Sequence, residues 1–413
     1  MPKSHGRRKA AKPKAARRTR GPSSLASQLL VNAARIGGFD NALHAEIWAS
    51  SKLGKAWAKA GLGEKEPEHQ LCMQVIDQAS ATPTLHGLVA LAALSRVAPA
   101  AALPPLSDAI NVLAKNELMP SWCSDTEWTP RAAWRAVDVY DSARTLLIDY
   151  DGPLPHTLMA DLYQVGGLEV RAITILPPNT APDEWEEIRP PGEVPMPLAA
   201  APAVEVLAEL AHALRMTDMV WPRNGDEDFA DCRALAWSRC RDYLPDWPDR
   251  TELTESQCSR LIADFLAHSG GRDDDNSTRF LAGLLLDYGQ GYISAGPLHW
   301  SPGEVLVFLC DWLPRKAILD PADRAALPQV LRAWVEFALT RRGIDPEWIS
   351  PAIAVIDIAL PGLDDAIDDE TAWGPAKQLY NALAHRGVDI NDPDALNRAI
   401  SQLNAENQAR APR

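Results

Sequence analysis

Apolar residues recur along this chain at two different periods, and the change between them divides it. From Ser24 the spacing is helical. Leu25, Leu29, Leu30 and Ala33 fall on one face, and Gly37-Gly38 closes the segment. Further helices are predicted around 40–60, 67–80, 83–97 and 103–118, each set off by Gly or Pro. Helices joined so briefly stack antiparallel, so residues 23–120 read as a helical region. Near Trp122 the pattern shortens. Ala133–Tyr140, Arg144–Asp149, His156–Tyr163 and Leu168–Leu176 are short, rich in Val, Ile, Leu and Tyr, and bounded by Asp, Gly and Pro. They predict strands, making residues 121–176 a small β module. Pro177 to Pro202 holds Pro-Pro pairs at 177–178 and 190–191. That proline density opposes both helix interiors and central strands, so residues 177–202 read as a linker.

Helical spacing returns at Ala203 and runs through a C-terminal domain, 203–413. Ser301-Pro302-Gly303-Glu304 offers an N-cap, a proline at the first helical position and a capping-box glutamate. Asp320-Pro321, Asp345-Pro346 and Asp392-Pro393 repeat an Asp-Pro opening. Gly289 and Gly291 read as helix termination and turn. The fold expected from these patterns is mainly α: helical N- and C-terminal regions with a small inserted β-hairpin or sheet around 130–176.

Charge changes the picture at one end. The 413 residues carry 41 Lys and Arg against 55 Asp and Glu. Nine of the cations lie within residues 1–20, which hold no acid, so the remainder has 32 basic and 55 acidic residues, or −23. Residues 1–22 lack apolar periodicity and read as a disordered basic tail. Its Arg7, Arg8, Lys9, Lys12, Lys14, Arg17, Arg18 and Arg20 are the candidate nucleic-acid contacts. They would neutralise phosphates without reading sequence, because no aromatic residue interleaves them. The acidic body opposes such binding.

No apolar run reaches the length of a membrane span and no signal peptide is legible, so no membrane association and a cytoplasmic location are expected. The six cysteines are scattered, with no C-x-x-C pair, and read as small buried hydrophobes. Asp273-Asp274-Asp275 lacks calcium-loop spacing and reads as an acidic loop, with Asn276-Ser277-Thr278 the N-cap of the helix that follows. The histidines form no H-x-x-x-H pair, so no metal centre is expected. The 14 tryptophans include several at helical spacing with other large residues, as in Phe308, Leu309 and Trp312, and these read as packing anchors.

One motif suggests chemistry. Leu146-Leu147-Ile148-Asp149-Tyr150-Asp151-Gly152 is an apolar strand ending in D-x-D-G, and it resembles the first motif of haloacid-dehalogenase-type phosphatases. That resemblance implies Asp149 as nucleophile, Asp151 as general acid and Mg²⁺ between them. The competing reading makes Asp151-Gly152 the turn of a hairpin. The further βα units that such a phosphatase needs do not follow.

A second resemblance is broader. Trp300-Ser301-Pro302, Asp311-Trp312-Leu313-Pro314-Arg315-Lys316 and Trp373-Gly374-Pro375-Ala376-Lys377 are similar to segments of an uncharacterised actinobacterial protein family, as is Gly166-Gly167 after a strand. The likeness covers roughly residues 120–405. It implies a small β module between helical regions and brings no activity. Asp161-Leu162-Tyr163 stands where that family is richer in His and Lys. The function expected is a non-enzymatic interaction protein whose acidic helical body binds a basic or apolar protein partner without a cofactor; the alternative is the Mg²⁺-dependent phosphatase.

Overall fold

The computed structural model describes residues 24–115, 119–125, 128–178, 185, 194–247, 252–268, 275–388 and 392–410. The basic tail and Asp273-Asp274 lie outside these. The chain divides into two compact units, Met1–Asp125 and Thr126–Arg413.

The first unit is helical, as expected. Its helices are α1 (Leu25–Asn32), α2 (Ala42–Lys59), α3 (Pro67–Ala81), α4 (Leu85–Val97) and α5 (Leu103–Leu113). Three of them start on a side-chain cap: Ser24, Asn41 and Thr84 each accept the N–H three residues on. In α4 every residue from Gly87 to Leu94 is buried, so this helix is wrapped by its neighbours. Glu46, 1% exposed, meets Arg96 at 2.7 Å and ties α2 to α4. The Trp122 indole donates to Ile36 O at 3.0 Å.

The second unit is built on a sheet larger than the expected hairpin. Strands β1 (Thr129–Val137), β2 (Ala143–Asp151), β3 (His156–Tyr163), β4 (Glu169–Leu176) and β5 (Leu198–Ala200) lie in the order β4-β3-β2-β1-β5. All neighbouring pairs are antiparallel. Strand β1 starts earlier than its sequence suggests. Pro130 is accommodated beside an irregularity between Pro130 and Ala132, where a missing N–H costs no ladder bond. It also ends earlier, because Asp138 turns the chain by accepting from Ser142 N and Oγ at 2.6 and 2.7 Å. Strand β5 lies at the end of the stretch read as a linker. Pro197 and Pro202 bracket its three residues, a placement that an edge strand tolerates.

Alternation gives the sheet two different faces. Leu146, Ile148, Leu158, Ala160, Leu162 and Ile173 alternate along one face and are buried. Helices α6 (Ala203–Met219) and α7 (Glu227–Cys240) pack on the sheet, and Arg135 and Arg144 both reach Glu209 of α6, at 2.7 and 2.6 Å. On the opposite face Ala136 and Leu147 pack with Trp185, whose indole donates to Met196 O at 2.8 Å. Strand β2 is therefore covered on both faces, which is why it reads as a continuous apolar run.

The remaining helices are α8 (Glu255–His268), α9 (Asn276–Tyr292), α10 (Pro302–Val307), α11 (Leu313–Lys316), α12 (Pro321–Arg341), α13 (Pro346–Ala359), α14 (Leu363–Asp368), α15 (Pro375–His385) and α16 (Pro393–Arg410). Between α10 and α11 residues Phe308–Trp312 wind as a π-turn. One core holds Trp300, Phe308, Leu313, Leu331 and Trp334 together with Tyr140 of the β1–β2 turn. The Tyr140 hydroxyl donates to Trp348 O at 2.5 Å, and Arg342 donates back to Tyr140 O at 3.0 Å.

Two sequence expectations need correcting here. Gly289 and Gly291 do not end a helix; both lie inside α9, and a Cβ on Gly289 would sit 2.7 Å from Pro297 O. The glycine is there because another stretch of backbone crosses at that point. The cap of α9 is Asp275, one residue ahead of the segment Asn276-Ser277-Thr278: its carboxylate accepts Thr278 N–H at 2.7 Å. Among the Asp-Pro openings, Asp320 and Asp392 cap through their side chains, whereas Asp345 does not.

Candidate functional site

Asp149 and Asp151, the residues with the strongest chemical pattern, end β2 on the same face of the sheet. They meet a cation from their own fold. Arg131 of β1 places one guanidinium nitrogen 2.7 Å from Asp149 Oδ2 and another 3.7 Å from Asp151 Oδ1. The second Asp149 oxygen accepts from Thr157 Oγ1 at 2.5 Å. Asp149 is 1% exposed while Asp151 is largely open. This donor set does not fit Mg²⁺: a guanidinium stands between the carboxylates and both Asp149 oxygens are engaged. Among the described residues no three His, Cys, Asp or Glu side chains group as a metal site.

The turn after Asp151 is fixed by packing. A Cβ on Gly152 would lie 2.2 Å from the Trp128 ring. Trp128 stands edge-on to His156 at 5.0 Å, His156 stacks on Tyr150 at 5.3 Å, and Arg239 of α7 lies over Trp128 and Tyr150. The β2–β3 connection thus needs glycine for close approach to an aromatic ring.

An accessible concave surface lies beside the outer strand β4. Two adjoining hollows of about 370 and 420 Å³ share Glu169, Arg171 and Val220. The first runs between the β3–β4 turn, at Gly166 and Gly167, and Leu306 and Val307 at the end of α10. The second continues past Thr217 and Val220, where α6 ends, to Asn224 and Asp226. Thr217 Oγ1 accepts Val170 N–H at 2.8 Å and Asn224 Nδ2 donates to Arg171 O at 3.2 Å, so side chains satisfy the start of the strand edge. Arg171 stacks over Tyr163 at 3.6 Å and lies 3.6 Å from Glu169. Met219, Val220, Trp221 and Leu306 are all exposed around the hollows.

A carboxyl group lies under this groove. Gly303 brings α10 against β3, for a Cβ there would meet the Tyr163 hydroxyl at 2.7 Å. The next residue, Glu304, is 2% exposed. Ser301 Oγ accepts Glu304 N–H at 3.1 Å, the cap that the sequence shows. The Glu304 side chain turns instead to Tyr288, whose hydroxyl donates to it at 2.7 Å, and to Gly166 N–H at 3.3 Å. Burial pushes the Glu304 carboxyl up to about 7, against the pull of these two donors. Burial and the nearby Glu304 also raise the Tyr288 phenol. Nothing in the local sequence signals this contact, because Gly166 and Glu304 are far apart along the chain.

Residues 311–316 and 373–377 meet one another. Gly374 N–H donates to Arg315 O at 2.9 Å, and the Trp373 indole donates to Ile367 O at 2.8 Å. Lys377, 5% exposed, donates to Pro314 O at 2.8 Å and Ile367 O at 3.2 Å, with Trp373 4.9 Å from its ammonium. This is a structural corner in which a buried cation closes the C-terminal ends of α11 and α14.

No protein-family model, curated protein or solved structure matches this chain. No described helix is long and apolar enough to cross a membrane.

Proposed function

We propose that residues 126–413 form a docking module that holds an extended basic-and-apolar segment of a partner protein in the groove beside β4. The observation that carries this reading is the groove itself: two hollows that share Glu169, Arg171 and Val220, with exposed Val220 and Leu306 on the walls and Glu169 and Asp226 on the polar rim. Arg171 is already engaged by Tyr163 and Glu169, and the other acid of the lining, Asp226, caps α7 by accepting Phe229 N–H at 3.0 Å.

The surrounding charge supports a cationic partner. Residues 126–413 hold 25 basic and 46 acidic residues, or −21, and only two lysines, Lys316 and Lys377. Residues 24–125 carry 7 basic against 9 acidic. The acidity therefore belongs to the unit with the groove, where it would steer a cationic segment and repel nucleic acid. Any polyanion contact falls to the cations of residues 1–20. The phosphatase alternative lacks comparable support, because Arg131 occupies the space between its two carboxylates.

Selection from displayed random peptides tests the reading. Bound peptides are expected to carry Arg or Lys among aliphatic residues. Val220→Arg and Leu306→Arg, both on exposed positions, should each weaken them by about tenfold or more, on the order of 1.4 kcal/mol. Acidic selected sequences, or binding indifferent to both substitutions, would remove the groove from consideration.

A further inference from the structure

We propose that Glu304 is a pH-operated latch on the groove: protonated, it holds the Gly166–Gly167 turn against α10, and ionised, it lets that turn go. Where the latch acts on a bound peptide, it rests on the docking reading above.

The geometry puts one side chain between three elements. Glu304 sits in the first turn of α10, its partner Tyr288 is on α9, and Gly166 belongs to the β3–β4 turn that lines the groove. A neutral carboxyl serves both contacts: its carbonyl oxygen accepts from Gly166, and its hydroxyl shares a hydrogen bond with Tyr288. An ionised one must keep a charge at 2% exposure.

Among the described residues, the groups facing Glu304 offer no counter-charge. Tyr288 from α9 and Tyr163 from β3 are phenols, and burial raises both, with Glu304 adding to the effect. Asp311 of the π-turn acts on Tyr288 with the same sign as Glu304. Arg171 lies over the Tyr163 ring and is paired with Glu169. Helix α13, which packs on α10, buries Ile349, Ala352 and Ile356 and leaves Glu347 and Asp357 exposed. An uncompensated buried carboxylate is costly. The weakest tether is the 3.3 Å bond to Gly166, in a turn whose two glycines have φ of +70° and +138° and where a Cβ on Gly167 would meet nothing within 4 Å. Relief therefore comes from letting the turn move and water reach the carboxylate. Burial sets the titration near neutrality, at about 7, where small pH changes alter the population.

The test follows exchange of the Gly166 and Gly167 amides between pH 6 and 8 by NMR, corrected for intrinsic exchange, on the full chain without peptide. Wild type should lose protection across this range by about tenfold, following ionisation. Glu304→Gln should give a flat, protected profile. Tyr288→Phe removes a donor that favours the charged form, so its transition should move to higher pH, a displacement that a purely structural role would not produce. A flat wild-type profile, or the same pH dependence in Glu304→Gln, overturns the latch. Affinity for a selected peptide is then measured at both pH values. A turn that opens while affinity stays constant leaves the latch standing and refutes the docking site. Constant affinity with a flat exchange profile does the reverse.

Discussion

Replacing Lys377 with Met removes the buried cation from the corner where α11, α14 and α15 meet while keeping most of its volume. The lysine ammonium makes hydrogen bonds to Pro314 O and Ile367 O, at 2.8 and 3.2 Å. Hydrogen bonds from a charged donor contribute about 1.5–3 kcal/mol each, and a buried carbonyl left without a donor costs about 1–3 kcal/mol. Against this stands the cost of burying the charge, which pulls the Lys377 ammonium below its usual range, with Arg324 adding to it. Methionine also restores apolar contact with Trp373. The net loss should be on the order of 3 kcal/mol, or about 5 °C in the melting temperature of a unit this size. Urea unfolding of wild type and Lys377→Met, followed by tryptophan fluorescence, measures the difference. A loss below about 1 kcal/mol would show that the carbonyls find other donors and that the corner does not depend on the cation.

Four further outcomes follow from other parts of the molecule. Glu304→Gln should equal wild type in stability at acid pH and exceed it above neutrality. A carboxyl raised from 4.5 to about 7 keeps its full contribution below 4.5 and loses it as pH rises through 7; the gap, at most about 3 kcal/mol, is read from urea midpoints at pH 5 and 8, and equal midpoints at both would refute it. Gly152→Ala should destabilise the unit by about 2 kcal/mol or more, because the new methyl meets the Trp128 ring, while Asp149→Asn should give no change in hydrolysis of varied phosphoesters with Mg²⁺. Activity lost in that mutant would restore the phosphatase reading. Deleting residues 1–22 should abolish any salt-dependent DNA binding in a gel-shift titration, and binding that survives would move the contact into the acidic body.

What the sequence shows and what it hides differ by the range of the interaction involved. The four long strands are visible because short runs of Val, Ile, Leu and Tyr bounded by Asp, Gly and Pro are a local property, and Ser301 and Asp320 announce their helices through caps three residues away. Strand β5 is hidden by its prolines, since pairing with β1 at Trp134 and Ala136 is a long-range event. Gly289 carries the local mark of a helix end, yet its reason lies at Pro297, which the local pattern cannot place against it. The D-x-D-G motif marks two carboxylates correctly as neighbours in space but says nothing of Arg131 between them. Glu304 is legible as a capping residue and not as a buried acid, because its two partners come from α9 and the β3–β4 turn. The groove has no sequence signature at all. Its walls combine residues near 166, 220 and 306.

The π-turn at Phe308–Trp312 bears on how this chain tolerates change. There the Leu313 N–H reaches back to Phe308 O, five residues away, so the segment carries one residue more than regular winding needs. Removing one residue from 308–312 would turn that bond into an ordinary four-residue one and leave the facing of everything after it nearly unchanged, because the turn already absorbs the extra residue. The Pro314 and Arg315 carbonyls would then still meet Lys377 and Gly374. Cys310 is exposed and free to vary in kind, whereas Asp311 pairs with Arg315 at 2.9 Å. Variation in length is limited to that one residue: a second deletion would turn everything after it by about 100° and break a corner built by residues sixty positions further along.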